Sequence, residues 1–178
     1  MSLTISAGQV AAFIANPTSF SGYSAGSHVI VNGAISHTQA SQLNAVNATY
    51  IQASVTETSI ANIAAIAVNN STRTSLNKFS FVVSDTTATA AALNSVIAKS
   101  SVAADFSKIT GITASDASAI KTVYAATTTG LGNETVSVND TTVNAADLNS
   151  INGSTSGKVT LSATSPVVAG LAADVKTL

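Results

Sequence analysis

Two stretches of this chain carry the same word at the same spacing. Phe81–Val96 reads FVVSDTTATAAALNSV and Val136–Ile151 reads VSVNDTTVNAADLNSI. Each has Asp-Thr-Thr, then an Ala-rich segment, then Leu-Asn-Ser and a β-branched residue. Asp85 and Asp140 both stand eight residues before the leucine, Leu93 or Leu148. Repetition at a period of tens of residues constrains a fold strongly, because each copy must bury its apolar face against a neighbour.

The repetition runs along the chain. Seven segments read as strands: LTIS from Leu3, HVIV from His28, YIQASV from Tyr50, KFSFVV from Lys78, KITGIT from Lys108, TVSV from Thr135 and KVTL from Lys158. After each strand come turn residues and a segment with helical spacing of apolar residues. Ile5 leads to Val10 and Phe13, Val55 to Ile60, Ile63 and Ile66, and Ile112 to Ala117, Ile120 and Val123. Ala163 leads in the same way to Val168 and Leu171. Such three-residue steps share one helical face. The Asp-Thr-Thr copies are a second, longer type, in which Val83 leads to Leu93 and Val96, and Val138 to Leu148 and Ile151. His28 to Val46 is a looser copy of it, ending QLNAV.

Several strands alternate apolar and polar residues, as in Val136-Ser137-Val138 and Val159-Thr160-Leu161. A sheet covered on both faces would be apolar nearly throughout, so one face here meets water. Successive strands separated by helices run parallel, with right-handed crossovers. The expectation is an α/β fold: one domain over residues 1–178, an open right-handed α/β solenoid resembling a leucine-rich-repeat arc. Its seven coils start near 3, 28, 50, 78, 108, 135 and 158, with a parallel sheet on one side and short helices on the other. A doubly wound sheet is the alternative, and the Ser and Thr of the strands speak against it.

Asp, Ser and Thr between a strand and a helix are expected to cap the helix N-terminus. That reading covers Asp85-Thr86-Thr87, Asp140-Thr141-Thr142, Thr56-Glu57-Thr58 and Ser115-Asp116, with Ser165-Pro166 as a cap followed by a first-turn proline. Asn44, Asn94 and Asn149 have no helical propensity to explain them. They are expected to bond backbone in the adjacent coil. Asp85 and Asp140 are also calcium candidates, but one carboxylate per turn falls short of the six to eight oxygens Ca²⁺ takes. Capping is the preferred reading.

Other chemistry finds little support. His28 and His37 have no third ligand and no helical i, i+4 spacing. No Gly-x-Ser-x-Gly elbow is present, and TTTGLGNE leads into no Lys-Ser/Thr helix start. With eight acidic residues scattered along the chain, no pair suggests acid–base catalysis. The expectation is a protein that is not an enzyme, with no cofactor. A net charge of -1 gives no attraction for nucleic acid, and no apolar run is long enough for membrane insertion.

The outward strand residues Thr4, Ser54, Ser80, Thr110, Ser137 and Thr160 form a candidate binding face, a hydroxyl stripe suited to glycan or to another surface. Tyr23, Tyr50 and Tyr124 are placed too far apart in the repeat to converge on it. With 8% charged residues and no Cys, this surface is of the Ser/Thr/Asn type more common outside cells. No distinct capping repeat is legible at either end, so flanking repeats of the same parent chain, or end-to-end self-association, are expected. An export signal is then expected outside this segment.

The pattern Val-x-Val-x-Asp-Thr, an Ala-rich stretch and Leu-Asn resembles repeats of very long secreted and cell-surface proteins of marine bacteria, especially cyanobacteria, described as haemolysin-type or adhesin-like. The resemblance spans nearly all the coils. It implies an extracellular or cell-surface, non-catalytic structural or adhesive repeat. It transfers no functional residue, because the calcium-binding nonapeptides of the neighbouring segments in such proteins are missing here.

Overall fold

A computed structural model describes residues 1–56, 58–67, 75–171 and 173–174. The expected cap residue Glu57 and the end of the last repeat lie outside them. The fold is mixed α/β, and every strand pairing with a defined register is parallel. Two compact units result, Met1–Val82 with Val96–Ala104, and Val83–Ser95 with Asp105–Leu178.

In the first unit, strands β1 (Ser2–Ser6), β2 (Ser27–Ile35), β3 (Ala48–Val55) and β4 (Lys78–Ser80) form a sheet in that order. Helices α1 (Val10–Ala15), α2 (His37–Leu43) and α3 (Ile60–Ala65) follow the first three strands. Leu3 pairs with Val29, Val29 with Ile51, and Ala53 with Phe79, all four strands keeping apolar opposite apolar on the inner face. Phe13 and Ile63, assigned inward by their spacing, are fully buried. Phe13 is clasped edge-on by Phe20 and Tyr23, each with its centroid 5.2 Å away.

The second unit holds β5 (Thr87–Thr89), α4 (Ala90–Ile97), β6 (Ala104–Asp105), β7 (Gly111–Ser115), α5 (Ala117–Ala125), β8 (Thr128–Thr129) and β9 (Thr135–Val138). It continues with β10 (Thr142–Asn144), α6 (Ala145–Asn152), β11 (Val159–Leu161) and β12 (Val167–Ala169). Of these elements, Val96 and Ile97 of α4 and Ala104 of β6 belong to the first unit. One sheet has the order β11-β9-β7-β5, and β10-β12 and β6-β8 are small pairs. Ala88, Ile112, Val136 and Val159 form one inward row. Leu93, Ile120, Val123 and Ile151 are completely buried, as the spacing requires.

The longer repeat type proves to be a strand broken in two. Its extra residues make a turn and a second three-residue strand, giving β4 then β5, and β9 then β10. The chain leaves one sheet for another in this break, since β4 pairs with β3 whereas β5 pairs with β7. The looser copy in β2 has a bulge at the corresponding place, with Gly33 at φ 95 and a register shift between Ile30 and Ala34. The seven expected strands therefore fall into two four-stranded sheets and not into one continuous sheet.

Two boundaries differ from expectation. The strand predicted from Lys108 begins at Gly111, because a turn closed by Ile109 N–H to Phe106 O comes first. Ser165-Pro166 does not start a helix. Ser165 sits at φ 52, and Val167–Ala169 continue as β12, parallel to β10. The last repeat is thus of the broken-strand type, and Leu171 is 74% exposed instead of buried on a helix.

Candidate functional site

The second Asp-Thr-Thr turn caps a helix, but not the one that follows it. Asp140 Oδ2 accepts the N–H of Ala117, the first residue of α5, at 2.7 Å across 23 residues of sequence. Asp116 occupies the N-cap position of α5 and makes no side-chain cap bond. In the preceding repeat, Ser115 Oγ accepts from Ala90 N–H, the first residue of α4, at 2.8 Å. Each of these helix starts is therefore closed from the next repeat. Local caps come from residues nearer the helices: Ser36, Ser59, Thr89 and Asn144 accept amides of their own first turns. This corrects the assignment of the Asp-Thr-Thr turns to the helices that follow them, since β5 and β10 intervene. Thr56 Oγ1 donates to Ile35 O at 3.2 Å instead of capping α3, and Glu57 lies outside the described residues. Asp85 is half-buried in the turn before β5.

The three expected asparagines do bridge repeats. Asn44, Asn94 and Asn149 donate their carboxamides to Ala67, Ala119 and Asp174 carbonyls, at 3.1, 3.0 and 2.8 Å. A fourth asparagine was not legible. Asn77, 1% exposed, accepts from Ile51 N–H at 2.9 Å and donates to Asn44 Oδ1 at 3.0 Å. It precedes β4 in a stretch whose charge and polarity read as a loop.

The hydroxyl residues lie in both sheets. Ser54 stands opposite Ser80 with their oxygens 3.1 Å apart, and Ser137 is opposite Thr160. Thr4 faces Ile30, and Thr110 precedes β7 and donates to Thr86 O at 3.1 Å. Thr4, Ser54, Ser80 and Thr110 are exposed, whereas Ser137 and Thr160 are half-buried. On the second sheet the outer face also carries Thr87, Thr113, Thr135 and Lys158 around Gly111, forming a shallow groove of about 330 Å³. A Cβ at Gly111 would stand 3.1 Å from Thr135 Oγ1, so glycine forms the groove floor.

The first sheet carries a different feature on its outer face. His28 and Tyr50, opposite one another in register, stack with centroids 4.3 Å apart at 23°. Lys78 Nζ lies 4.4 Å from the Tyr50 centroid. Strand starts at neighbouring positions bring these three together. Lys78 stands opposite Gln52, two residues along β3 from Tyr50, and its long side chain reaches the ring.

Glu134 is the main residue missed. It is completely buried. Its carboxylate accepts from Tyr124 Oη, from Gly132 N–H at 2.7 Å and from Asn133 N–H at 3.1 Å. Its backbone carbonyl accepts from Thr155 Oγ1 at 2.7 Å. Gly130 and Gly132, at φ 83 and 121, let the loop curl so that its amides meet the carboxylate. Burial, with the Glu134 hydrogen bond and charge, pushes the Tyr124 phenol above its ordinary range. A cavity of about 330 Å³ lies beside Tyr124, Gly130 and Ser154. The double glycine before an acid was the available signal.

Among the described residues no three His, Cys, Asp or Glu side chains are grouped to hold a metal ion, and no helix is long and apolar enough to cross a membrane. Asp140 is committed to α5, and His37 lies beside Thr38 Oγ1 at 3.4 Å. Compared with family models, curated proteins and solved structures, the chain matches none.

Proposed function

We propose that this chain is a non-catalytic structural repeat segment of a large extracellular or cell-surface protein, in which strand–helix coils stack as a right-handed α/β solenoid. Its work is mechanical. The coils hold distal parts of a parent chain away from the cell, as the resemblance to marine bacterial surface repeats implies. The observation that carries this reading is the sequence interval between parallel partners, which stays between 20 (Ile35 to Val55) and 26 (Leu3 to Val29) residues through both sheets. Side chains that bridge one repeat to the next at the same interval support it.

A deletion of residues 111–134 tests the stacking. It would remove one coil and leave β5 opposite β9, with Asp140 facing the start of α4. A solenoid predicts a soluble chain that still unfolds cooperatively in urea, at lower stability. A closed domain predicts an unfolded chain.

The His28–Tyr50–Lys78 cluster favours a second reading, a glycan- or surface-binding module on the outer sheet face. Retention on immobilised polysaccharides, abolished by Tyr50→Ala, would establish it. The spacer reading predicts no retention.

A further inference from the structure

The β11 end of the second unit has the features that receive a following repeat. Strand β11 lies at the edge of its sheet, and among the described residues no strand pairs with its outer side. Its inward residues Val159 and Leu161 are only half-buried, whereas their partners Val136 and Val138 are 1% and 0% exposed. Between this strand, α6 and β12 is a cavity of about 230 Å³ lined by Leu148, Val159, Leu161 and Val168. Strand β1 lies at the edge of the first sheet, alternating exposed residues with buried Leu3 and Ile5.

We infer that β11 docks the β1 edge of a second copy of this chain, in parallel, with Leu3 beside Val159 and Ile5 beside Leu161. The occupant follows from continuity with the interface between repeats inside the chain. Inside the chain the inward residues of these rows meet apolar strand residues joined in parallel, with Ser115 opposite Val138 as the exception, and β1 begins such a row. Register is set by burial, because a slip of one residue would turn Leu3 and Ile5 to the wet face. Two different surfaces meet, so the contact is heterologous and propagates into open chains unless it closes a ring. The inference rests on the stacked-coil reading.

Cysteine-free sequence makes the test clean. The register puts Thr4 beside Thr160, both on the outer face. Neighbouring strands are about 4.8 Å apart, within disulfide range. One preparation carries Thr4→Cys, a second Thr160→Cys, and both are mixed under mild oxidation. The expected result is a covalent dimer in the mixture that contains one chain of each kind, and a ladder of oligomers from the double variant. Circular dichroism unchanged from the parent shows that the variants are folded. In the unmodified chain, sedimentation should show association that rises with concentration and is lost in Leu161→Asp. A mixture without cross-linking and a chain that stays monomeric at every concentration overturn the docking. So does a Thr4→Cys preparation that dimerises alone to the same extent, which would mean pairing of like ends. The deletion of residues 111–134 reads the stacking separately, so a folded deletion variant with no cross-linking sinks only the docking.

Discussion

Replacing Asp140 by Ala removes a cap from a helix that starts 23 residues earlier. The side chain is half-buried and its bond to Ala117 N–H is 2.7 Å long, the length of a charge-assisted bond. An N-cap loss costs about 0.5–2 kcal/mol, and a bond to a charged acceptor lies at about 1.5–3 kcal/mol. Partial exposure favours the overlap of the two ranges, about 1.5–2 kcal/mol. The control is Asp116→Ala, at the N-cap position itself, where no side-chain bond is made. Its loss removes only the favourable position of a negative charge near a helix start, about 0.3–1 kcal/mol. Urea unfolding followed by circular dichroism measures both, with slopes compared to check that the unfolded states are alike. Equal costs, or a larger cost for Asp116→Ala, would refute closure from the next repeat. The calcium alternative gives a second readout: saturating Ca²⁺ should leave the melting temperature unchanged.

Asn77→Ala deletes both buried amide bonds and is expected to cost about 2–4 kcal/mol in the same urea assay. Gly157→Ala would bring a methyl carbon 2.1 Å from Glu134 O, so backbone must move, and a melting temperature lowered by several degrees is expected; Gly8→Ala, with its nearest atom at 3.9 Å, should be close to neutral. Tyr124→Phe removes a donor from buried Glu134 and should destabilise by about 1.5–3 kcal/mol at neutral pH. The folded phenol titrates above the unfolded one, so its contribution is whole below about pH 10 and declines as pH rises further. The Phe variant should lose that part of the alkaline slope, and an unchanged slope would contradict the burial of Tyr124.

Spacing was the most legible property. Phe13, Ile63, Leu93, Ile120, Val123 and Ile151 could be assigned inward from offsets alone, because a helix face and a strand face repeat with fixed periods. The bridging asparagines were legible for a similar reason, as their presence in helices had no local explanation. The strands Thr87–Thr89, Thr142–Asn144 and Val167–Ala169 were not. Three residues are too few to show a period, and a hydroxyl or amide before an alanine run reads equally as a helix start. Ser115 and Asp140 were recognisable as caps by chemistry, but their partner is chosen by tertiary contact, which one repeat alone does not encode. Glu134 was hidden by its charge. Acidic residues are almost never fully buried unless paired, and its partners are two neighbouring amides and a tyrosine ten residues back.

Closure of α4 by Ser115 and of α5 by Asp140 gives the chain a direction in time. On a ribosome each helix emerges before the group that completes its first turn, and must wait for 25 or 23 more residues. At about 5–20 residues per second that delay is of the order of one to five seconds. At these two helices order lags synthesis by one repeat. A stall in translation inside that window would leave α4 or α5 open by one amide at its start.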